Sequence, residues 1–433
     1  MTFVSPKFKI KGSTPLSGEI KISGSKNISL PVLAATLLTD KEIRLRNFPE
    51  ISDNTNMLQI MQKLGCQIEI EHKIDNSNGK LFSEKILKIN NSNINNFRTD
   101  SNLASQLRAS IVLLGPGLSR FGRFEVVRPG GCAIGLRPIN FHLSGLEKMG
   151  AKITIEDEYI KASGKLKGAK IIMEKQSLGA TQNITMAAVY ADGITRIENA
   201  SCDPEIVAFC NFLQLLGVKI DGIGTTTLEI QGGSNLSSAD YKIPADRFEA
   251  GTYCCLAAAT DSTLTITNAK EGLDGFEHTL QQMGIKITHL DQETFTVCKE
   301  GELIRNMDLT TGPHPHFLPT DLQAQFMSIL CLGDKSCTVT ENVWENRLMH
   351  VEQLKKMGAD IQMLSGNKVH INPIKKYSAA QVSATDLRAS ASLVIAALNA
   401  EGETTIDNIH HIERGYEKIF EKLKKCRADI TKI

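Results

Sequence analysis

Three segments of this 433-residue sequence combine residue types that could do chemistry. In Arg128-Pro129-Gly130-Gly131-Cys132-Ala133-Ile134-Gly135-Leu136-Arg137-Pro138, glycines surround a thiol, and Arg120, Arg123, Arg128 and Arg137 crowd it. Such a loop can move, and a positive field lowers a thiol pKa, so Cys132 reads as a reactive thiol. The alternative is a buried structural cysteine, for which Gly-Gly-Cys on a basic loop makes a poor core segment. In Gly24-Ser25-Lys26-Asn27, a lysine among small residues opens the apolar run from Leu30 to Leu38. At a helix N-terminus that pattern suits a phosphate, and it equally suits a solvated lysine beside a cap. The third set is a series of acid–base neighbours: Asp246-Arg247, Pro319-Thr320-Asp321, Glu345-Asn346-Arg347, Thr385-Asp386-Leu387-Arg388 and Glu413-Arg414. Structural ion pairs explain many such doublets. Their recurrence near expected helix starts suggests anion contacts as well.

Other chemistries find little support. The sequence has no Gly-x-x-x-x-Gly-Lys-Ser/Thr, no Gly-x-Gly-x-x-Gly and no Gly-x-Ser-x-Gly, so the common nucleotide cradles and the hydrolase elbow are missing. His314-Pro315-His316 lacks a second cluster of ligands nearby and reads as a loop, so no metal is expected. With 49 Lys+Arg against 48 Asp+Glu, bulk charge does not favour nucleic acid or an anionic membrane. One Trp and six Tyr leave few rings on which bases could stack. The absence of an apolar run of 18 residues and of a signal-peptide core leads to the expectation of a cytoplasmic protein without membrane insertion. The ten scattered cysteines form no Cys-x-x-Cys pair and read as reduced thiols.

The elements that must position these residues repeat along the chain. A helix end, a Gly and a strand start recur at Gly65, Gly150, Gly217, Gly284 and Gly358, with Arg427 in the sixth position. The spacing is 67 to 85 residues. A glycine there suits the left-handed residue that closes a helix, and the lysines before it complement the helix C-terminus. A second pattern runs from an Ala/Leu-rich helix through a Gly or Asp turn into a Thr/Ile strand that ends on Asn. It is clear from Ala187 to Asn199, Leu256 to Asn268 and Ile395 to Asn408. It is weaker from Ala34 to Asn47 and from Ile329 to Asn342, and degenerate after Ala109. The Ala-rich helices are apolar on nearly every side and should be buried. A unit of about 70 residues is too long for a solenoid repeat, and six of them fit two globular halves of three.

Together, SGSKNISLPVLAATLL, RASIVLLGPGLSRFG, RPGGCAIGLRPINFHLSGLEKMGA, LGATQNITMAAVYADGITRIENA, DRFEAGTY, PTDLQAQFM, ENRLMHVEQLKKMGADI and TDLRASASLVIAALNAEGETTIDNIHHIERGYEKI resemble the enolpyruvyl transferase family, and within it the UDP-N-acetylglucosamine 1-carboxyvinyltransferases. The match spans residues 23 to 430. The resemblance implies an α/β fold of two lobes, an inverse α/β barrel of six βαβαββ units, three per lobe. One lobe would be 26–244. The other would be 1–25 plus 245–433, with a two-strand hinge near 23–25 and 243–244. The implied reaction moves the enolpyruvyl group of phosphoenolpyruvate to the 3-hydroxyl of UDP-N-acetylglucosamine and releases phosphate. No cofactor is implied, and the enzyme is expected as a monomer.

By resemblance, Cys132 would protonate the methylene carbon of phosphoenolpyruvate and could add to it covalently. Asp321 would sit at the sugar hydroxyl as base or orienter. Lys26, Arg137 and Arg414 would bind phosphate, while Arg347 and Arg388 would hold the carboxylate or its surroundings. Asn27, Arg108 and Val343 would touch the sugar or its nucleotide, with Asp386 also in the substrate site. Arg137, Pro138, Ile139, Asn140 and Phe141, with Lys175, Gln176, Ser177 and Leu178, would hold uridine and diphosphate. The sequence departs from the family pattern at Ser25, where Ala is frequent, at Arg128 for Leu, and at Asn140 for Asp. One residue is added between His314 and Pro319.

Overall fold

The computed structural model describes residues 6–75, 82–129, 134–135, 139–270 and 272–433. By contacts the chain divides into two compact units. One holds the described residues of Met1–Ser23, Gly131–Arg137 and Ala245–Ile433, the other those of Gly24–Gly130 and Pro138–Pro244. Ile134 and Gly135 thus group with the unit of Asp321, where the Asn346 N–H donates to the Ile134 carbonyl at 3.1 Å. The sequence reading had left all of 26–244 in one lobe.

One plan is repeated. Among the described residues five sheets have four strands, and each begins with an edge strand paired in parallel to a neighbour that is followed by two antiparallel strands. In the unit of Lys26, Ala239–Lys242 pairs in parallel with Ile43–Arg46, and Lys170–Ile172 with Ile194–Glu198. In the unit of Asp321 the parallel pairs are Ser17–Lys21 with Thr263–Thr267, Leu309–Thr310 with Cys337–Thr340, and Gln381–Ser383 with Glu403–Asp407. The sixth sheet, Arg123–Val127, Tyr159–Ser163 and Lys152–Glu156, keeps only a single parallel bridge, Arg98 to Glu125. The N-terminal strand Phe8–Lys11 lies between Glu403–Asp407 and the last strand Asp429–Lys432.

The recurring asparagine explains the parallel strands. Asn47, Asn199, Asn268 and Asn408 follow their strands at φ 52°, 58°, 54° and 60°, a left-handed conformation that Asn tolerates better than most residues. Their side-chain amides donate to the Ile243, Met173 and Ile22 carbonyls and to Ser383 Oγ, at 2.7 to 2.9 Å. Each therefore fastens the end of the neighbouring parallel strand. Of the two weaker copies, the one at Asn342 has a parallel strand of two residues and the one at Asn47 a strand of four. Where the pattern is degenerate, after Val127, only the bridge remains. The helix-closing glycines take φ from 80° to 106°, and Arg427 in the sixth unit takes 69°, at a strain of about 1 kcal/mol for a side-chain-bearing residue.

The Ala-rich helices are buried, as their all-round apolarity predicts. Every residue of Arg247–Ala259 is buried, and this helix packs against Gln323–Leu330 and Leu387–Asn399 at the centre of its unit. In the other unit the corresponding segments are Lys26–Ala35, the short helices Arg108–Leu113 and Leu114–Phe121, and Leu178–Ala188. Amphipathic helices such as Ser52–Leu64 and Pro204–Leu216 cover the outside, each closed by its glycine. The first residues of the central helices carry the candidate site.

Candidate active site

In the unit of Asp321, three central helices begin on an acid. Asp246 accepts from the N–H groups of Phe248 and Glu249, and Asp386 from those of Arg388 and Ala389. These are N-caps that satisfy otherwise orphaned donors. Asp321 stands in the short turn Thr320–Leu322 that leads into Gln323–Leu330, and its carboxylate turns to two arginines. Arg347 Nη2 donates to Oδ1 at 2.7 Å, and Arg388 Nη2 donates to Oδ2 at 2.9 Å. The arginine side chains are 5% and 4% exposed, whereas that of Asp321 is 23% exposed. The carboxylate is thus gripped from behind and open on one side.

Burial alone would raise the Asp321 carboxyl, but the charges of Arg388 and Arg347 and their hydrogen bonds outweigh it. They hold it well below the usual carboxylate range. It is an ionised acceptor of fixed direction and a weak proton base. The second arm of Arg347 donates to Thr320 Oγ1 at 3.0 Å, and that hydroxyl donates to Glu341 Oε2 at 3.0 Å. Glu341 Oε1 in turn accepts from the N–H groups of Val343 and Trp344. Val343 is therefore fixed through its backbone to the same network. Arg414 is half-buried at the end of the short helix Ile409–Arg414. His314 and His316 lie in the loop between Leu309–Thr310 and Thr320–Leu322. Among the described residues, no cluster of three or more His, Cys, Asp or Glu is arranged to hold a metal, and no helix is long and apolar enough to cross a membrane.

The unit of Lys26 begins its central helices differently. Lys26 is the first residue of Lys26–Ala35, whose N-cap Ser25 makes no side-chain cap. Its Nζ lies 2.7 Å from Asp53 Oδ2, with the two side chains 13% and 4% exposed. A Cβ on Gly24 would sit 2.0 Å from the Asn47 carbonyl oxygen, so a glycine is required for the chain to enter this helix. Asn27 follows Lys26, and Arg108 is the half-buried first residue of Arg108–Leu113. Asn140 is exposed at the start of Asn140–Lys148, with Ile139 and Phe141 half-buried beside it. Lys175 is exposed, Gln176 and Leu178 are half-buried, and Ser177 caps Leu178–Ala188 through the Ala180 N–H. Cys132, Arg137 and Pro138 lie outside the described residues.

Two partners here were not legible as site residues. Asp53 is one, since nothing in its sequence neighbourhood marks it as the partner of Lys26. The other is His142, buried beneath the start of Asn140–Lys148. Its Nδ1 lies 3.0 Å from Asn183 Nδ2, and Asn183 Oδ1 accepts from the Gly115 N–H at 2.7 Å. Burial, and then the Arg108 charge, push the His142 pKa down to about 3. The ring is therefore neutral, with Nδ1 accepting and the proton on Nε2. A Cβ on Gly179 would meet that edge of the ring at 3.3 to 3.4 Å. His142 thus ties the helix Asn140–Lys148 to the helix Leu178–Ala188 through Asn183.

Comparison with known proteins places this architecture. The family model described as EPSP synthase (3-phosphoshikimate 1-carboxyvinyltransferase) matches residues 10–423. Among solved structures, the enolpyruvyl transferase NikO from Streptomyces tendae superposes with a TM-score of 0.86 at 22% identity, covering 99% of both chains. An EPSP synthase from Acinetobacter baumannii gives 0.74 at 17% identity, covering 99% of this chain and 100% of that one. The fold is therefore the mixed α/β fold of enolpyruvyl transferases. Curated proteins named UDP-N-acetylglucosamine 1-carboxyvinyltransferase are similar over 99% of both chains, at 43% identity for those of Magnetococcus marinus and Cellvibrio japonicus and 44% for that of Pseudoalteromonas atlantica. The chain belongs to this family of carboxyvinyltransferases.

Proposed function

We propose that this enzyme transfers the enolpyruvyl group of phosphoenolpyruvate to the 3-hydroxyl of UDP-N-acetylglucosamine, with release of phosphate, in peptidoglycan synthesis. The observation that carries the proposal is a carboxylate held ionised and in fixed direction by two buried arginines, in a chain 43% identical over its length to transferases of that name. In this transfer the sugar oxygen bonds to C2 of phosphoenolpyruvate while its proton leaves to a base. A proton adds to C3, and the former methylene becomes a methyl group. Loss of phosphate from C2 and of a proton from C3 then restores the double bond.

Asp321 suits the sugar hydroxyl as an acceptor that orients it, because its low proton affinity makes it a poor store for the proton. Arg347 and Arg388 each give one nitrogen to Asp321, and they serve the surroundings of the substrate carboxylate. Lys26, Arg137 and Arg414 serve phosphate, with charge supplied by side chains. Cys132 supplies the C3 proton. Asn27, Arg108 and Val343, with Asp386, serve the sugar nucleotide. The segments 137–141 and 175–178 serve uridine and diphosphate, and His142 ties the two helices they lead into through Asn183. The six βαβαββ units form two lobes of an inverse barrel with a hinge near 23–25 and 243–244, and the protein acts in the cytoplasm.

The test is an assay of inorganic phosphate with each substrate alone and with both. Release that requires both is the expected result. No release with both present, or release from phosphoenolpyruvate alone, contradicts the proposal.

A further inference from the structure

Behind Arg388 lies a second group of polar side chains that the proposed chemistry does not use. Tyr416 is 1% exposed, and its hydroxyl lies 2.8 Å from Thr252 Oγ1, 3.1 Å from Gln325 Nε2 and 3.3 Å from Arg388 Nη1. Thr252, Gln325 and Arg388 belong to the three central helices of the unit, Arg247–Ala259, Gln323–Leu330 and Leu387–Asn399. One hydroxyl therefore reaches all three.

Donor and acceptor counting gives the direction of the main bonds. A guanidinium donates only, so the Tyr416 oxygen accepts from Arg388. Gln325 Nε2 lies 3.1 Å from the Asp321 main-chain carbonyl, which can only accept, so the amide presents its NH2 here, with its second hydrogen shared between Tyr416 at 3.1 Å and Thr252 Oγ1 at 3.2 Å. Thr252 donates to the Phe248 carbonyl at 2.7 Å, so the Tyr416 hydroxyl sends its own hydrogen to Thr252. Burial keeps the Tyr416 hydroxyl protonated at ordinary pH. The chain runs from the Asp321 carboxylate through Arg388 and Tyr416 to Thr252 and the helix backbone. The Phe248 and Tyr416 rings lie 5.1 and 5.7 Å from the Arg388 guanidinium carbon and flank it.

We propose that Tyr416 is a positioning residue for the transfer reaction: its hydroxyl sets the Arg388 guanidinium, and through it the direction and ionisation of the Asp321 carboxylate. The inference rests on the proposed function for its kinetic consequence and on the hydrogen-bond chain alone for its electrostatic one. Tyr416→Phe keeps the ring in the core and removes the hydroxyl, and should lower kcat about tenfold at neutral pH. Arg388 then loses an acceptor and holds Asp321 less tightly, so the Asp321 carboxyl titrates at higher pH than in the parent enzyme. The acid limb of the kcat profile moves up with it.

Two readouts separate the possibilities. The first is the pH profile of kcat, normalised to folded enzyme. The second is a 13C titration of aspartate carboxyls, with Asp321 assigned through Asp321→Asn, which needs no substrate. A lowered kcat with an upward shift in both readouts supports positioning. Activity that falls only with the folded fraction, with both titrations unmoved, overturns it. If the parent enzyme releases no phosphate with either or both substrates, the functional assignment fails. The carboxyl titration then still decides: an upward shift in Tyr416→Phe supports the Arg388–Asp321 coupling, and an unmoved Asp321 overturns it. Thr252→Val serves as a graded control, since it removes the acceptor of the Tyr416 hydrogen, together with the Thr252 bonds to the Phe248 carbonyl and Gln325, but leaves the Tyr416–Arg388 bond, and should shift the same readouts less.

Discussion

The two units build their central helices on one plan but start them with opposite chemistry. In the unit of Asp321, the helix starts carry acids: Asp246 and Asp386 cap their own backbones, and Asp321 engages Arg347 and Arg388. In the other unit the corresponding starts carry Lys26 and Arg108, and the first lacks a side-chain cap or an acid in its first turn. The N-caps at Asp246 and Asp386 satisfy their helix N–H groups internally, while Asp321 presents a carboxylate whose direction Arg347 and Arg388 fix. A start that leads with a cation favours bound anions, because the helix dipole and the side chain add in sign. One plan of central helices thus carries acid-led starts in one unit and cation-led starts at Lys26 and Arg108 in the other.

This contrast can be broken by experiment, and the largest effect is all-or-none. Burial pushes the thiols of Cys66, Cys210, Cys331 and Cys337 up to about 12, and those of Cys254 and Cys255 higher still. Cys132, with Arg128 and Arg137 near it in sequence, is expected to be the opposite case. Fosfomycin, an epoxide, should therefore modify Cys132 alone, and Cys132→Asp should abolish labelling. Peptide mapping that finds the adduct on another cysteine would remove Cys132 from its role.

Next in size is Asp321. Asp321→Asn keeps the shape but loses the charge, and turnover should fall by roughly 100-fold while affinity for UDP-N-acetylglucosamine changes several-fold at most. An equal loss in affinity would place the residue in nucleotide binding. Lys26 is the counterpart. The double variant Lys26→Met, Asp53→Asn removes the cation without leaving Asp53 charged and buried, and should raise the phosphoenolpyruvate requirement about tenfold. Steady-state kinetics that leave this requirement unchanged would argue against a phosphate role for Lys26.

The smallest effect concerns stability. His350 is 1% exposed. Burial, opposed by the Asp386 charge and the Arg347 backbone and aided by the Arg347 charge, brings its pKa down to about 4. A histidine depressed in the folded state takes up its proton later than in the unfolded chain, where the ordinary value is 6.5. Its contribution is fully present above 6.5 and is lost as pH falls toward about 4. Tm of His350→Gln should therefore decline less steeply than that of the parent protein across this interval. Parallel curves would mean that His350 does not titrate there.

Much of this was legible in the sequence, for physical reasons that also mark where legibility stopped. The helix-closing glycines showed the six units because a left-handed residue is a local demand, and Arg427 met the same demand without a glycine. The strand-ending asparagines marked where the repeated strands stop, but that they also fasten a neighbouring parallel strand shows only in the structure. Lys26 and Asp321 stood out through their immediate neighbours. Their supports did not: Asp53, His142 and Tyr416 make their bonds to residues far away in sequence. Their burial, which is what gives them force, appears only once the central helices are assembled.

The central claim is a transfer of carbon, in which the C2–O bond of phosphoenolpyruvate breaks and the sugar keeps its own oxygen. Phosphoenolpyruvate labelled with 18O at the bridging position tests this directly when it is incubated with UDP-N-acetylglucosamine and the enzyme. The account predicts that the label leaves with phosphate and that the nucleotide gains an enolpyruvyl ether without it. Unlabelled phosphate, with the 18O retained on the pyruvyl carbon, would mean phosphorus–oxygen cleavage and would contradict the assigned reaction.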